Sequence, residues 1–150
     1  ERIAVPGNED LSPEDRARRA RLVYDPFHAA VAETLAAAPD AALVTVHSFT
    51  PRWNGAPRSV QIGYLHDEDA TLARAMLAAG PGGWDTRLNE PYSAADGVTH
   101  TLARHGAGRP NVMIEVRNNL LRDAAGIEAM ADHLAAVLSA ALGPVPEAQP

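Results

Sequence analysis

Cysteine is absent from the 150-residue sequence. Neither a disulfide framework nor a thiolate metal site is therefore possible. Any metal ion would have to be held by histidine, aspartate, glutamate or water, and these donors suit zinc in its catalytic form or a harder ion.

Basic charge is also scarce. The sequence has 13 Lys and Arg residues against 19 Asp and Glu residues, with a formal net charge of −6 and a pI near 5.4. This charge does not favour a nucleic-acid partner, and the arginines are not interleaved with aromatic residues as a base-stacking groove requires. No apolar run approaches the ~20 residues that span a bilayer, and no signal peptide is visible. We expect a cytoplasmic enzyme or part of one, without a nucleic-acid or membrane partner and of undetermined subunit number.

Strand and helix patterns alternate along a chain whose length fits one domain. Asp25-Pro26 separates the first two helices, because the residue before a proline resists helical geometry. The alternation predicts a three-layer α/β fold with a mixed, mostly parallel central sheet flanked by helices. The predicted strands are Ala41–Val46, Ser59–Leu65, Asp85–Leu88 (weak) and Asn111–Arg117. The first helix begins after Ser12, as its N-cap. The second runs from Pro26 to Ala38, with an apolar face of Phe27, Ala30, Val31 and Leu35. The third begins at Asp67–Asp69, with Leu72, Ala75, Met76 and Ala79 on one face, and the last has an apolar face of Ile127, Met130, Ala131, Leu134, Val137, Leu138 and Ala141. His133 lies off the last face and is expected to be exposed.

A histidine stands where the first apolar strand ends. The run from Ala41 to Val46 is typical of a buried strand, and His47 is followed by a loop rich in turn residues. Ligands of open α/β sheets bind in the crevice at the carboxyl ends of the strands. His47 is therefore placed to hold a metal or to move a proton, and the alternative, which position alone favours, is a histidine that caps the strand through a hydrogen bond.

An acid interrupts the strand Asn111–Arg117. Glu115 and Arg117 are two residues apart and so face the same way. Because an isolated buried carboxylate is costly, Glu115 is either paired with Arg117 or held in a functional cleft, and the pattern alone leaves both open. We expect His47 and Glu115 to meet at one rim of the sheet.

Several short segments occur in order from Ile3 to about Leu142: Val5-Pro-Gly-Asn8, Leu11-Ser12, the arginines near Arg19, Pro26-Phe-His28, His47-Ser-Phe-Thr-Pro51, Gly55, Arg58, Asn89-Glu-Pro-Tyr-Ser93, Thr101, His105-Gly106 and Ile114-Glu-Val-Arg-Asn118. Together they resemble the N-formylglutamate amidohydrolase family. This family is similar in fold to zinc carboxypeptidases, so the resemblance implies a zinc-dependent hydrolase that converts N-formylglutamate to formate and glutamate in histidine degradation.

The resemblance also implies roles for individual residues. His47, in a His-Ser-aromatic turn, matches a zinc ligand, and Glu115 matches the catalytic carboxylate that takes a proton from water and passes it to the leaving amine. Zinc, or another divalent ion, would polarise the carbonyl and acidify its water. Five further matched residues are candidates for binding the N-acyl amino acid, each with a structural alternative such as a loop or turn contact: Arg58, Asn89, Tyr92, His105 and Arg117. Arg117 is more naturally read as orienting Glu115.

One part of the family pattern is missing. Members carry an Asp-His-Ala type motif for the other zinc ligands, and an Asn-Arg stretch for the substrate carboxylate, before the segment that matches Val5–Asn8. Neither occurs here, so we expect this chain to be the C-terminal part of a longer catalytic domain. Two alternatives stay open: a carboxypeptidase-like or peptidoglycan amidase, and a non-catalytic module with an incomplete metal site.

Overall fold

The computed structural model describes residues 5–143. By its internal contacts the chain divides into two units, Glu1–Ala41 and Ala42–Pro150.

The first unit is helical. Ser12 caps helix α1 (Pro13–Arg19), as predicted, by accepting a hydrogen bond from the Asp15 N–H at 3.0 Å. The predicted break at Asp25-Pro26 is wrong, because a π-helical turn (Ala20–Tyr24) leads straight into α2 (Asp25–Ala37). In a regular helix the proline ring clashes with the carbonyl four residues earlier, and the wider turn accommodates it.

The buried side of α2 also differs from the prediction. Phe27 is 52% exposed, Ala30 is exposed as well, and Val31 and Leu35 are only half-buried. Instead, His28 is buried, with its ring 4.2 Å from that of Tyr24. Alanines lie on nearly every side of this helix, so residue spacing alone does not single out the buried face.

The second unit contains the four-stranded sheet. The strand order is β1 (Leu43–Phe49), β6 (Asn111–Arg117), β4 (Ile62–Leu65) and β5 (Thr86–Leu88). β1 pairs parallel to β6, β4 pairs parallel to β5, and β4 pairs antiparallel to β6. A separate two-stranded hairpin, β2 (Arg52–Trp53) and β3 (Ala56–Pro57), follows β1. The sheet is therefore mixed and mostly parallel, as predicted.

Helices cover both faces of this sheet. On one face, inward residues of β4 and β6 pack against α3 (Thr71–Ala79) and α5 (Ala124–Leu142), and on the other Leu65 and Met113 pack against Leu102 of α4 (His100–His105). This confirms the three-layer α/β fold. The buried cluster on the α3–α5 face comprises Ile62, Tyr64, Leu72, Ala73, Met76, Val112, Ile114, Val116, Met130 and Val137.

Two strand and helix predictions need correction. β1 lies at an end of the strand order, and Val46, His47 and Ser48 are exposed, because the described residues pair it along one edge only. On α5, Ile127 is 53% exposed since it precedes the part of the helix that reaches the core. His133, in contrast, is half-buried beside Trp84, with ring centroids 6.2 Å apart.

Helix α5 is, within residues 5–143, the one helix long and apolar enough to cross a membrane by length and composition. A core helix of a soluble protein can pass the same test. Met130 and Val137 of α5 are buried in the cluster against the sheet, so α5 forms part of a helical layer of this fold.

Candidate active site

The carboxyl ends of β1 and β6 bring a histidine and a glutamate together. His47 and Glu115 are Cα partners in the parallel pairing of these strands. Aligned residues of paired strands point to the same face of the sheet, and neighbouring strands lie ~4.8 Å apart. The two side chains therefore stand side by side on the α4 face. We call this edge, with His47, Phe49, Glu115, Arg117 and the nearby Arg58, the Glu115 rim.

Glu115 is held in a dry environment. It is 6% exposed, and its Oε2 atom is buried without a hydrogen-bond partner among the residues that the structure describes. Burial raises the pKa of Glu115 from 4.5 to about 7, while the positive charge of Arg58 acts in the opposite direction. A carboxyl group with such a pKa can both accept and release a proton near neutral pH.

Arg117 does not neutralise this glutamate, since no ion pair between the two occurs in the described part of the chain. Its Nη1 donates to the carbonyls of Arg58 and Ser59 at 2.7 and 3.0 Å, and its Nε donates to Asn119 Oδ1 at 2.9 Å. Of the two interpretations left open for Glu115, the pairing with Arg117 is wrong. Arg117 instead fixes the segment that carries Arg58.

Arg58 is surrounded by aromatic rings. Its guanidinium carbon lies 5.6 Å from the ring centres of Phe49 and Trp53 and 5.2 Å from that of Tyr92. Its Nη1 also donates to the Thr50 carbonyl at 3.1 Å. Cations are attracted to the faces of aromatic rings, so these contacts hold the charge near Glu115.

Phe49 and Trp53 were not among the predicted site residues. The sequence does contain a signal for their placement, because Asn54-Gly55 is a strong hairpin turn signal. Asn54 and Gly55 have positive φ angles, 48° and 82°, as that turn requires. The hairpin brings Trp53 back towards Arg58.

A glycine beside Glu115 makes room for a neighbouring loop. Gly63 is the partner of Glu115 on β4, and a Cβ atom there would lie only 1.9 Å from the Glu90 carbonyl oxygen. Arg87, the next residue across the sheet, bonds Glu90 Oε2 at 3.0 Å and Ser59 Oγ at 3.1 Å. Glycine inside a strand often marks such a close backbone approach, a signal that the sequence offered.

The remaining predicted residues lie in different surroundings. Asn89, with φ 52°, accepts a hydrogen bond from the His66 N–H at 2.9 Å, at the opposite end of β4 from Glu115. Its side chain therefore shapes a turn. Tyr92 packs beside Arg58 and Phe49. His105 ends α4 and is half-buried, and burial, followed by the charges of Arg104 and His100, lowers its pKa.

A zinc site is incomplete in this part of the protein. Across residues 5–143 no group of three or more His, Asp or Glu side chains is arranged to hold a metal ion. Catalytic zinc needs about three protein ligands. His47, exposed at the Glu115 rim, has the right donor chemistry for one of them, but these residues alone do not fit a bound zinc ion.

Two comparisons with known proteins found a match. The sequence model of the N-formylglutamate amidohydrolase family matches residues 2–122. Among solved structures, the crystal structure of a gene product from Agrobacterium tumefaciens is similar, with 43% sequence identity and a TM-score of 0.87. That match covers 93% of this chain and 58% of the other, so the chain spans less than two thirds of that protein's length. No curated protein matches closely enough to count as a relative.

Proposed function

The chain belongs to the N-formylglutamate amidohydrolase family, and on that premise we propose that its Glu115 rim moves the proton in hydrolysis of an N-acyl acidic amino acid. The proposed substrate is N-formylglutamate, and the products are formate and glutamate. The observation that carries this proposal is the buried carboxyl of Glu115, whose Oε2 has no partner among the described residues and whose pKa burial raises to about 7.

Glu115 is the proposed general base and then general acid. In its ionised form it takes a proton from the attacking water, and in its protonated form it delivers that proton to the nitrogen of the leaving amine. Both steps need a carboxyl group whose two forms are close in free energy near neutral pH. Desolvation and the opposing charge of Arg58 together provide this balance.

Arg58 is proposed to attract the acidic substrate through its positive charge. The protein carries a net charge of −6, so a negatively charged substrate needs a local positive field. The three aromatic rings and the Thr50 carbonyl hold the guanidinium in place. A guanidinium is well suited to a carboxylate because it can donate two parallel hydrogen bonds. Tyr92, which packs beside Arg58, is proposed to line the same side of the site, whereas His105 ends α4 next to Gly106, which contacts Asn111 at the opposite end of β6 from Glu115.

For the full-length protein, the proposal includes a catalytic zinc ion. When bound, it would polarise the acyl carbonyl and make its water more acidic, with His47 as one ligand. Within residues 5–143, no group of three or more His, Asp or Glu side chains is arranged to complete its coordination. Metal analysis of the full-length protein, with and without His47→Ala, tests this role.

The test of the proposed function is formate release from N-formylglutamate by the full-length protein in the presence of zinc. Glu115→Gln keeps the shape of the side chain and removes its proton transfer, so we expect turnover to fall at least ~100-fold. Glu128→Gln, at an exposed position on α5, is the matched control and should keep full activity. Full activity of Glu115→Gln would remove the proposed mechanism.

A substrate panel separates the remaining alternatives. N-formylglutamate should be preferred over N-formylglutamine, which lacks the side-chain charge, and over short peptides ending in glutamate. Preference for the peptides would indicate a carboxypeptidase-like or amidase activity. Absence of turnover on every substrate, together with no stoichiometric metal, would indicate a non-catalytic module.

A further inference from the structure

The hairpin Arg52–Pro57 brings a large aromatic ring to the Glu115 rim. Trp53 ends β2, and its ring centre lies 5.6 Å from the guanidinium carbon of Arg58. The side chain is half-buried, yet Trp53 belongs to neither hydrophobic cluster formed within residues 5–143. In the described part of the chain, this ring therefore packs on a cation and lies outside the core.

The other two rings around Arg58 also belong to the interior of the protein. Phe49 is 2% exposed, and Tyr92 packs against the buried cluster that contains Leu65. Replacing either ring would disturb packing as well as the guanidinium. The ring of Trp53, in contrast, can be removed without opening a gap in either cluster, so its contact with Arg58 can be tested separately.

The hydrogen bonds of Nη1 hold the Arg58 guanidinium at one point. Nη1 donates to the Thr50 carbonyl at 3.1 Å and to Thr50 Oγ1 at 3.3 Å. Because both acceptors meet the same nitrogen, these two bonds do not fix the tilt of the guanidinium plane. A ring that attracts the cation to its face restricts that tilt. The tilt matters, since two parallel hydrogen bonds to a carboxylate require the two planar groups to be aligned.

The backbone of the hairpin ties Trp53 to the segment that carries Arg58. The Arg58 N–H donates to the Pro51 carbonyl at 2.9 Å, and Trp53 pairs with Ala56 across the hairpin. The Thr50 hydroxyl also donates to the Arg52 carbonyl at 2.8 Å. The ring and the guanidinium are thus held at a fixed separation by short-range contacts.

We propose that Trp53 is a positioning residue that sets the preference for acidic substrates, because its ring aligns the Arg58 guanidinium with the side-chain carboxylate of the substrate. The inference rests on the proposed function, in which Arg58 attracts that carboxylate. Trp53 acts through Arg58 and needs no contact with the substrate. Its removal should therefore weaken recognition of the substrate with the side-chain charge and leave recognition of the substrate without it unchanged.

Hydrolysis by the full-length protein with zinc measures this preference. Trp53→Leu should raise KM for N-formylglutamate about fivefold, the effect of one lost cation–π contact, without a matching fall in kcat. KM for N-formylglutamine should stay the same. Trp53→Tyr, which keeps an aromatic ring, should restore most of the preference. Trp84→Leu is the matched control, since it also removes an indole but lies beside His133 on α5, and it should leave the preference intact.

The NMR signal of the Arg58 Nε–H, assigned with Arg58→Gln, tests the positioning role without turnover. Its hydrogen exchange with water should be faster in Trp53→Leu and close to normal in Trp53→Tyr. Glutarate is a dicarboxylate without an amide bond to cleave, and a titration on this signal measures its binding. It should bind about fivefold more weakly to Trp53→Leu. These results without any formate release would reject the hydrolysis and support the positioning role.

Three results would overturn the proposal. Unchanged exchange and unchanged glutarate binding in Trp53→Leu would mean that the ring does not orient the guanidinium. Equal losses towards N-formylglutamate and N-formylglutamine would mean that Trp53 only supports the fold. Failure of the unmodified protein to bind glutarate would mean that Arg58 receives no carboxylate.

Discussion

His47 and Glu115 are partners across neighbouring parallel strands, yet they occupy contrasting environments. The histidine is exposed, whereas the glutamate is 6% exposed. The boundary between solvent and the interior therefore passes between two adjacent side chains. A substrate arriving from solvent at His47 would meet a desolvated carboxyl group at the next position.

Replacing Glu115 by glutamine should stabilise the protein at alkaline pH. The pKa of Glu115 is raised from 4.5 to about 7 in the folded state, so its contribution to stability is fully present below pH 4.5 and is lost as the pH rises through 7. The neutral amide avoids this loss. In metal-free protein, Glu115→Gln should raise the free energy of unfolding by about 3 kcal/mol at pH 8.5 relative to its effect at pH 4.

Urea unfolding at the two pH values measures this difference. Glu128→Gln, on the exposed side of α5, is the control and should show no comparable pH dependence. Equal effects of Glu115→Gln at both pH values would mean that the glutamate is ordinarily solvated.

Replacing Arg58 by glutamine should raise the pKa of Glu115 further. The charge of Arg58 lowers that pKa against the effect of burial, so its removal leaves desolvation unopposed. In full-length protein the acidic limb of the pH–rate profile should move to higher pH, and KM for an acidic substrate should rise about tenfold. Arg74→Gln, exposed on α3, should leave both unchanged. A movement of the acidic limb to lower pH would contradict the assignment.

Replacing Gly63 by alanine should destabilise the second unit. The new Cβ atom would lie 1.9 Å from the Glu90 backbone carbonyl, and backbone atoms cannot move aside as the tip of a flexible side chain can. Overpacking of this kind costs about 3 kcal/mol, measured as a lower unfolding midpoint. Gly80→Ala is the control, since its Cβ atom would meet nothing closer than 3.5 Å. Equal stability of the two variants would show that the Glu90 loop is not held there.

Replacing Arg117 by alanine should loosen the segment that carries Arg58. Its two hydrogen bonds to the carbonyls of Arg58 and Ser59 would be lost, at a cost of about 2 kcal/mol in unfolding free energy. Arg117→Lys should recover only part of this, because one ammonium group does not reproduce the geometry of a guanidinium. Hydrogen exchange at residues 58 and 59 measures the loosening. Arg122→Ala, at an exposed position, should leave that exchange slow, and unchanged exchange in Arg117→Ala would contradict the anchoring role.

The strands were the most predictable elements, because short β-branched apolar runs ended by turn residues identify them. β6 has the bounds that its sequence pattern indicates, Asn111–Arg117. The sequence could not show that β1 ends the sheet order, since an apolar run has the same appearance in a central and in an edge strand. Similarly, the buried face of α2 could not be predicted from residue spacing, because alanines lie on nearly every side of this helix.

The contacts around the candidate site were less predictable, because they join residues far apart in sequence. Arg117 and Ser59 are 58 positions apart and meet only because β4 and β6 run antiparallel. That direction of pairing leaves no mark on the residues of either strand. Asn89 is another example, because its position in a family motif does not indicate that its side chain accepts a hydrogen bond from the His66 N–H.

The antiparallel entry of β4 has a practical consequence for protein engineering. β4 begins at the edge where β1 and β6 end, so the short hairpin Arg52–Pro57 lies between the end of β1 and the start of β4. The Arg58 N–H closes the base of the hairpin by donating to the Pro51 carbonyl at 2.9 Å. Its tip, Asn54-Gly55, could be exchanged for longer or shorter turns without altering the register of any strand in the main sheet.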